Sequence, residues 1–144
     1  MTNVTLPRLH HMALTVTDVE ASVQWYEEIF GLRFKMDVPH EGGVGKLLAD
    51  DSMQLVIVLH RHDSNDLSAF AETVTGLDHV GFMVPMRADL EAWQEHLESK
   101  GVVQSEPAAK PLTQAPIADE SYGSVLVFRD PDNIQLELFS PPGK

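Results

Sequence analysis

The sequence predicts an α+β fold made of two βαβββ units. Three observations predict it. The order strand, helix, strand, strand, strand occurs twice along the chain. The two copies keep a fixed spacing, since the step from His11 to His79 equals the step from Trp25 to Trp93. Near the ends of the halves, ADDSMQLVIV (49–58) matches DPDNIQLELF (130–139), which aligns Gln54 with Gln135 and Leu55 with Leu136. The step from Gln54 to Gln135 is longer than the step between the histidines, so the second half carries extra chain. Most of that excess fits into the stretch 106–121. An internal repeat of this size means two copies of one supersecondary unit, each too small to be stable alone.

The elements follow in order. LHHMALTV (9–16) is short and β-rich, a strand. In the following TDVEASVQWYEEIFGL, Thr17 with Glu20 fits a capping box. Val19, Val23, Tyr26 and Phe30 recur at helical spacing, and Gly31 stops the helix. Three strands are expected at about 33–38, 44–49 and 53–59, with turns at 41–43 and 50–52. Residues 60–76 are polar and read as a linker with a short helix near 66–74. The pattern then restarts with the strand LDHVGFMV (77–84). RADLEAWQEHLESKG is a helix with Leu90, Trp93 and Leu97 on one stripe and Gly101 at its end. Residues 102–105 form a strand, and the Pro- and Ala-rich stretch 106–121 is a long loop and a candidate lid. YGSVLVF and IQLELFS are strands joined by the turn DPDN. The expected organisation is one domain over 1–144, with unit one at about 8–59, a linker at 60–76 and unit two at about 77–141.

Composition narrows the function. The chain is 43% apolar and 22% charged, the balance of a globular protein. Its net charge of −12 argues against nucleic acid or an anionic membrane as partner, because phosphate needs a basic footprint. The absence of cysteine excludes disulfides, thiolate metal sites and cysteine nucleophiles. No apolar run reaches membrane-spanning length and the N-terminal residues carry no signal region, so a cytoplasmic location is expected.

Strand parity sorts the chemistry, since alternate residues share a face. Met12, Leu14 and Val16 form an apolar face that belongs under the helix, which puts His11, Ala13 and Thr15 on the other face. In the second unit His79, Gly81 and Met83 lie opposite Val80, Phe82 and Val84. In the last strand Gln135, Glu137 and Phe139 lie opposite Ile134, Leu136 and Leu138. Three metal-ligating residue types, His11, His79 and Glu137, therefore fall on the faces away from the helices. If the units pair into one curved sheet, these residues line a shared cleft. Two imidazoles and a carboxylate form the set associated with non-heme Fe(II). His10 falls on the helix side and is expected to be a bystander.

The stretches LHHMALTVTDVEASVQWYEEIFGL, LDHVGFMV and FRDPDNIQLELFSP resemble the vicinal oxygen chelate superfamily over residues 8 to 141. This group includes glyoxalase I, extradiol dioxygenases, methylmalonyl-CoA epimerase, fosfomycin-modifying enzymes and bleomycin-binding proteins. The resemblance implies a U-shaped mixed sheet around a metal cleft, with ligand positions at His11, Val56, His79 and Glu137. Valine at 56 leaves a three-ligand set, which is like that of extradiol dioxygenases and fosfomycin transferases rather than of glyoxalase I. The expected function is a divalent-metal enzyme, most simply an oxygenase using Fe(II), with Mn, Ni, Co or Zn as alternatives. A glyoxalase-type lyase or epimerase, or a small-molecule binding or antibiotic resistance protein, are the other readings. Val56, Val58, Met83 and Phe139 suit an apolar or aromatic small-molecule substrate. His60 and Tyr122 are candidate acid/base residues, with His40 in a loop nearby. The sequence leaves open whether the units pair within one chain or swap between the two chains of a homodimer.

Overall fold

The computed structural model describes residues 3–105 and 107–143. Met1, Thr2, Glu106 and Lys144, and with Glu106 the start of the expected 106–121 loop, lie outside the described residues. These contain two helices and ten strands in two mixed sheets. The chain divides into two compact units, Met1–Asp66 and Leu67–Lys144.

The first unit is β1 (Met12–Thr15), α1 (Val19–Phe30), β2 (Arg33–His40), β3 (Gly43–Ala49) and β4 (Val56–His62), in sheet order β1-β4-β3-β2. The last strand returns parallel to the first, with Met12 opposite Ile57 and Leu14 opposite Leu59. α1 starts at Asp18, whose side chain accepts from the Ala21 N–H at 3.1 Å, so the cap is Asp18 and not Thr17. It stops at Gly31, which takes the left-handed conformation (φ 70) that closes the last turn. Its buried face, Val19, Ser22, Trp25, Tyr26 and Ile29, packs on the central strands of the sheet, where Leu48, Ile57 and Leu59 are fully buried. That face is rotated from the expected stripe, because the aromatic pair Trp25–Tyr26 fills the helix–sheet gap while Val23 and Phe30 sit at its margin. Truncating Ile57 or Leu59 to alanine at such a site costs about 2–5 kcal/mol.

The second unit repeats this plan with additions. It comprises β5 (Val80–Met83), α2 (Arg87–Ser99), β6 (Val103–Gln104), β7 (Thr113–Gln114), β8 (Ala118–Glu120), β9 (Gly123–Arg129) and β10 (Gln135–Ser140). The order is β5-β10-β9-β7-β6, with β8 also paired to β9. Again the last strand lies parallel to the first, Val80 opposite Leu136. Leu90 and Leu97 of α2 are fully buried, as are Leu126, Phe128 and Leu136 of the sheet.

Two segments differ from the sequence expectation. The stretch 107–121 is not one long loop, for β7 and β8 tie it to the sheet and the buried Gln114 side chain donates to the Val102 carbonyl at 3.0 Å. No helix forms near 66–74, and residues 60–62 belong to β4. What orders residues 70–72 is a polar clamp within the second unit. Arg129, 7% exposed, donates through both terminal nitrogens to the Glu72 carboxylate at 2.9 Å each. It also donates to the Asn133 carbonyl at 3.1 Å and to Gln135 Oε1 at 2.8 Å. Asn133 Nδ2 in turn donates to the Phe70 carbonyl, and the Phe70 N–H donates to the Asp132 carbonyl. The DPDN turn is thus a docking point for the segment that leads into the second unit.

The hydrogen bonds from Arg129 hold the Glu72 carboxyl at about 2, below its ordinary 4.5. Its contribution is therefore complete above pH 4.5 and is lost as pH falls through about 2. Glu72→Gln is expected to lower stability by about 1–2 kcal/mol at pH 7, and urea unfolding should show this gap closing in acid.

Candidate functional site

In the second unit the parallel register of β5 and β10 sets Glu137 opposite Gly81. His79 stands two positions before Gly81 and shares its parity. The result is a close pair, with His79 Nε2 lying 3.6 Å from Glu137 Oε2. The other ring nitrogen, Nδ1, lies 2.7 Å from the Asp78 carboxylate and donates to it. An imidazole that carries its proton on Nδ1 keeps a bare lone pair on Nε2. Two donors about 2.1 Å from one ion are roughly 3.4 Å apart in tetrahedral geometry. A carboxylate behind one histidine nitrogen is also the arrangement that orients metal-ligating imidazoles. The pair thus has the donor chemistry, spacing and support of two metal ligands.

The same face continues through Phe139. Tyr122, 62% exposed, stacks on its ring with a centroid distance of 6.5 Å and an interplanar angle of 11°. The turn that carries Tyr122 runs into Gly123 at φ 144, where a side chain would collide with the Phe139 ring and the Ser140 carbonyl. Glycine there lets Tyr122 lie against the sheet face.

In the first unit His11 is exposed and lies just before β1. Its Nδ1 is 2.9 Å from His10 Nδ1, and the two rings meet edge to face at 5.1 Å. Adjacent residues of a strand point to opposite faces, so this contact is available only because both histidines precede the strand. His60 lies on β4 in the register opposite Thr15. Burial, and then the neighbouring His40, His62 and His11, push its pKa below the ordinary 6.5, so it is neutral at pH 7.

The sheets also revise the equivalence of the two units. Ala13 pairs with Val58, and Gly81, the repeat counterpart of Ala13, pairs with Glu137. By hydrogen-bond register the counterpart of Glu137 is therefore Val58, not Val56. Both valines are buried and neither is a ligand, so the first unit offers no carboxylate at that position.

A group missed by sequence reasoning lies beside His60. His40 is the last residue of β2, not a loop residue, and it meets His60 and His62 with ring centroids 5.1 and 4.9 Å away. The available signal was parity along β4, which sets His60 and His62 on one face. No helix among the described residues is long and apolar enough to cross a membrane.

A family model described as the Glyoxalase/Bleomycin resistance protein/Dioxygenase superfamily matches residues 8–138. Biphenyl-2,3-diol 1,2-dioxygenase 3 of Rhodococcus globerulus is 26% identical over 132 residues, which cover 92% of this chain. The chain spans only 62% of the length of that dioxygenase. Among solved structures, a glyoxylase/bleomycin resistance protein/dioxygenase domain from Frankia sp. EAN1pec superposes with a TM-score of 0.80 at 32% identity, covering 96% of this chain and 94% of that one. A mutant of the fosfomycin resistance protein FosX from Listeria monocytogenes, complexed with Mn(II) and 1S,2S-dihydroxypropylphosphonic acid, shares the fold at a TM-score of 0.62 and 18% identity, covering 94% of this chain and 93% of that one.

Asp78 supplies a test of the pair's chemistry. Asp78→Ala should weaken binding of Mn(II) or Fe(II) about 10- to 100-fold while leaving the fold intact, as read by competition with a chelator and by circular dichroism.

Proposed function

This chain belongs to the Glyoxalase/Bleomycin resistance protein/Dioxygenase superfamily, and from that premise we propose a divalent-metal-dependent oxygenase of the extradiol dioxygenase type, using Fe(II) on an aromatic or phenolic small molecule. The observation that carries this reading is the His79–Glu137 pair, a lone-pair nitrogen and a carboxylate oxygen 3.6 Å apart with Asp78 behind the imidazole. His11, the repeat counterpart of His79, is the first unit's residue of the same ligand type. A set of two histidines and one carboxylate would hold a divalent metal with positions left open, which suits oxygen chemistry. The bound metal supplies a Lewis acid and a redox centre. In the second unit Phe139 and the Tyr122 ring stacked on it support an apolar substrate rather than a small charged one.

The chain's own proton-moving groups are assigned to His60 and Tyr122. His60 is neutral at pH 7 and accepts a proton on a ring nitrogen. Tyr122 presents a phenolic O–H that donates to substrate oxygen. The similarity to a biphenyl-diol dioxygenase supports the oxygenase reading.

Anaerobic reconstitution with Fe(II), followed by air and catechol-type compounds, tests it. Oxygen uptake with appearance of a ring-cleavage chromophore is expected. His79→Ala and Glu137→Gln should each lower the rate at least about 100-fold. No uptake, together with turnover of a thiohemiacetal or an acyl-CoA using Mn, Ni, Co or Zn, would replace this reading with a lyase or isomerase. Ligand binding that survives His11→Ala without any metal would make it a binding protein.

A further inference from the structure

The first unit holds a second group of metal-ligating side chains, of which the oxygenase reading uses only His60, and that as a base. His40, His60 and His62 each bring one ring nitrogen, and these three atoms lie within 4.8 Å of one another. They line a cavity of about 290 Å³ together with Ala13, Thr15 and Val38. The three histidines flank β3 on both sides. His40 and His62 are both register partners of Gly43, and His60 is the partner of Gly45. A side chain at Gly45 would lie 2.7 Å from Cε1 of His60, and one at Gly43 would meet the His40 ring and the Arg61 carbonyl. The two glycines therefore provide the room in which three imidazoles converge across a strand.

The tautomer of His40 is set by its surroundings. His40 Nδ1 lies 3.0 Å from the Glu41 carbonyl, which only accepts, so Nδ1 carries the proton. That leaves Nε2 as a bare lone pair, and this atom is buried without a hydrogen-bond partner. His60 Nδ1 is also buried without a partner. Buried polar atoms ordinarily find partners, and an exception calls for a ligand or a role. A lone pair facing inward repels an anion and selects a cation. With no carboxylate among the lining residues, the donor set is all nitrogen, which suits zinc, copper or nickel rather than calcium or magnesium.

We propose that His40, His60 and His62 form a three-imidazole site for a borderline divalent transition-metal ion, with Zn²⁺ as its simplest occupant and a fourth position left to water or substrate. Zinc–nitrogen distances of about 2.0–2.1 Å need nitrogens roughly 3.4 Å apart, so the rings contract by about 1.4 Å at most. His62 is exposed at the end of β4 and swings in, while His40 is already held by the Glu41 carbonyl in the manner of an oriented ligand. This site is made wholly of residues of the first unit and does not rest on the oxygenase reading.

The test uses the full chain carrying His79→Ala and Glu137→Gln, which removes the other pair of ligands. This protein is expected to bind one equivalent of Zn²⁺ and, with Co²⁺, to show visible absorption bands of imidazole ligation. Adding His62→Ala, at an exposed position that leaves the core untouched, should weaken Zn²⁺ binding about 100-fold or more and abolish the cobalt bands. His60→Gln should do the same, and Gly45→Ala should weaken binding by crowding the His60 ring. The proposal is overturned if the background protein takes up no zinc at stoichiometric concentration, or if His62→Ala and His60→Gln both leave its zinc affinity unchanged. Zinc affinity and the cobalt bands decide this proposal, and oxygenase activity does not enter it, because His60 is also assigned as a base there.

Discussion

Each unit depends on one pairing, in which its last strand returns to lie parallel beside its first. β4 sits against β1, and β10 sits against β5. Parallel neighbours need a long crossover between them, and the helix and intervening strands supply it. The helix then covers one face of the sheet with apolar side chains. The opposite face is left for everything else the first and last strands carry. Glu137 and His79 meet because β5 and β10 are neighbours, although their residues are far apart in sequence. His60 faces Thr15 for the same reason. The β5–β10 pairing therefore holds His79 and Glu137 together as well as the buried Leu136 and Leu138.

The fold was legible because its signals are periodic. Alternation in LHHMALTV and IQLELFS named the buried faces, and the equal steps from His11 to His79 and from Trp25 to Trp93 revealed the repeat. Leu14, Leu136 and Leu138 are buried as parity required. The departures lie where local signals compete or tertiary contacts decide. Thr17 and Asp18 are both competent caps, and only the backbone path selects Asp18. Residues 107–121 contain no strong strand pattern, and short strands there form by pairing with an existing edge. Residues 70–72 are polar and look like a linker, yet their order comes from Arg129, distant in sequence, whose charge cannot be buried unpaired.

The candidate site divides along the same line. His79, just before β5, and Glu137, on β10, come together as parity of the two segments suggested. The three-histidine cluster was not legible, because His40 reaches it from a different strand and the glycines that admit it carry no chemical label. Gly43 and Gly45 look like ordinary turn and strand residues until the register shows which rings lie over them. Residues that converge across a strand are visible only once pairing is known. The electrostatics follow the same logic. A chain with net charge −12 still builds a pocket whose lining includes no carboxylate, so bulk charge says little about local potential.

The shift between Val56 and Val58 has a wider meaning. Comparing the halves by their letters pairs Glu137 with one valine, and comparing them by their hydrogen bonds pairs it with the next valine on the same side. A slip by a single position would have turned the strand over and exchanged its greasy side for its wet one. A slip by two leaves both sides intact and merely slides the strand along its neighbour. Duplicated strands of this kind thus have a quantised tolerance, in which even displacements pass unnoticed by the core and odd ones are lethal to it. What the two halves share is a side of the sheet, along which a position can shift in steps of two residues while the core keeps its face.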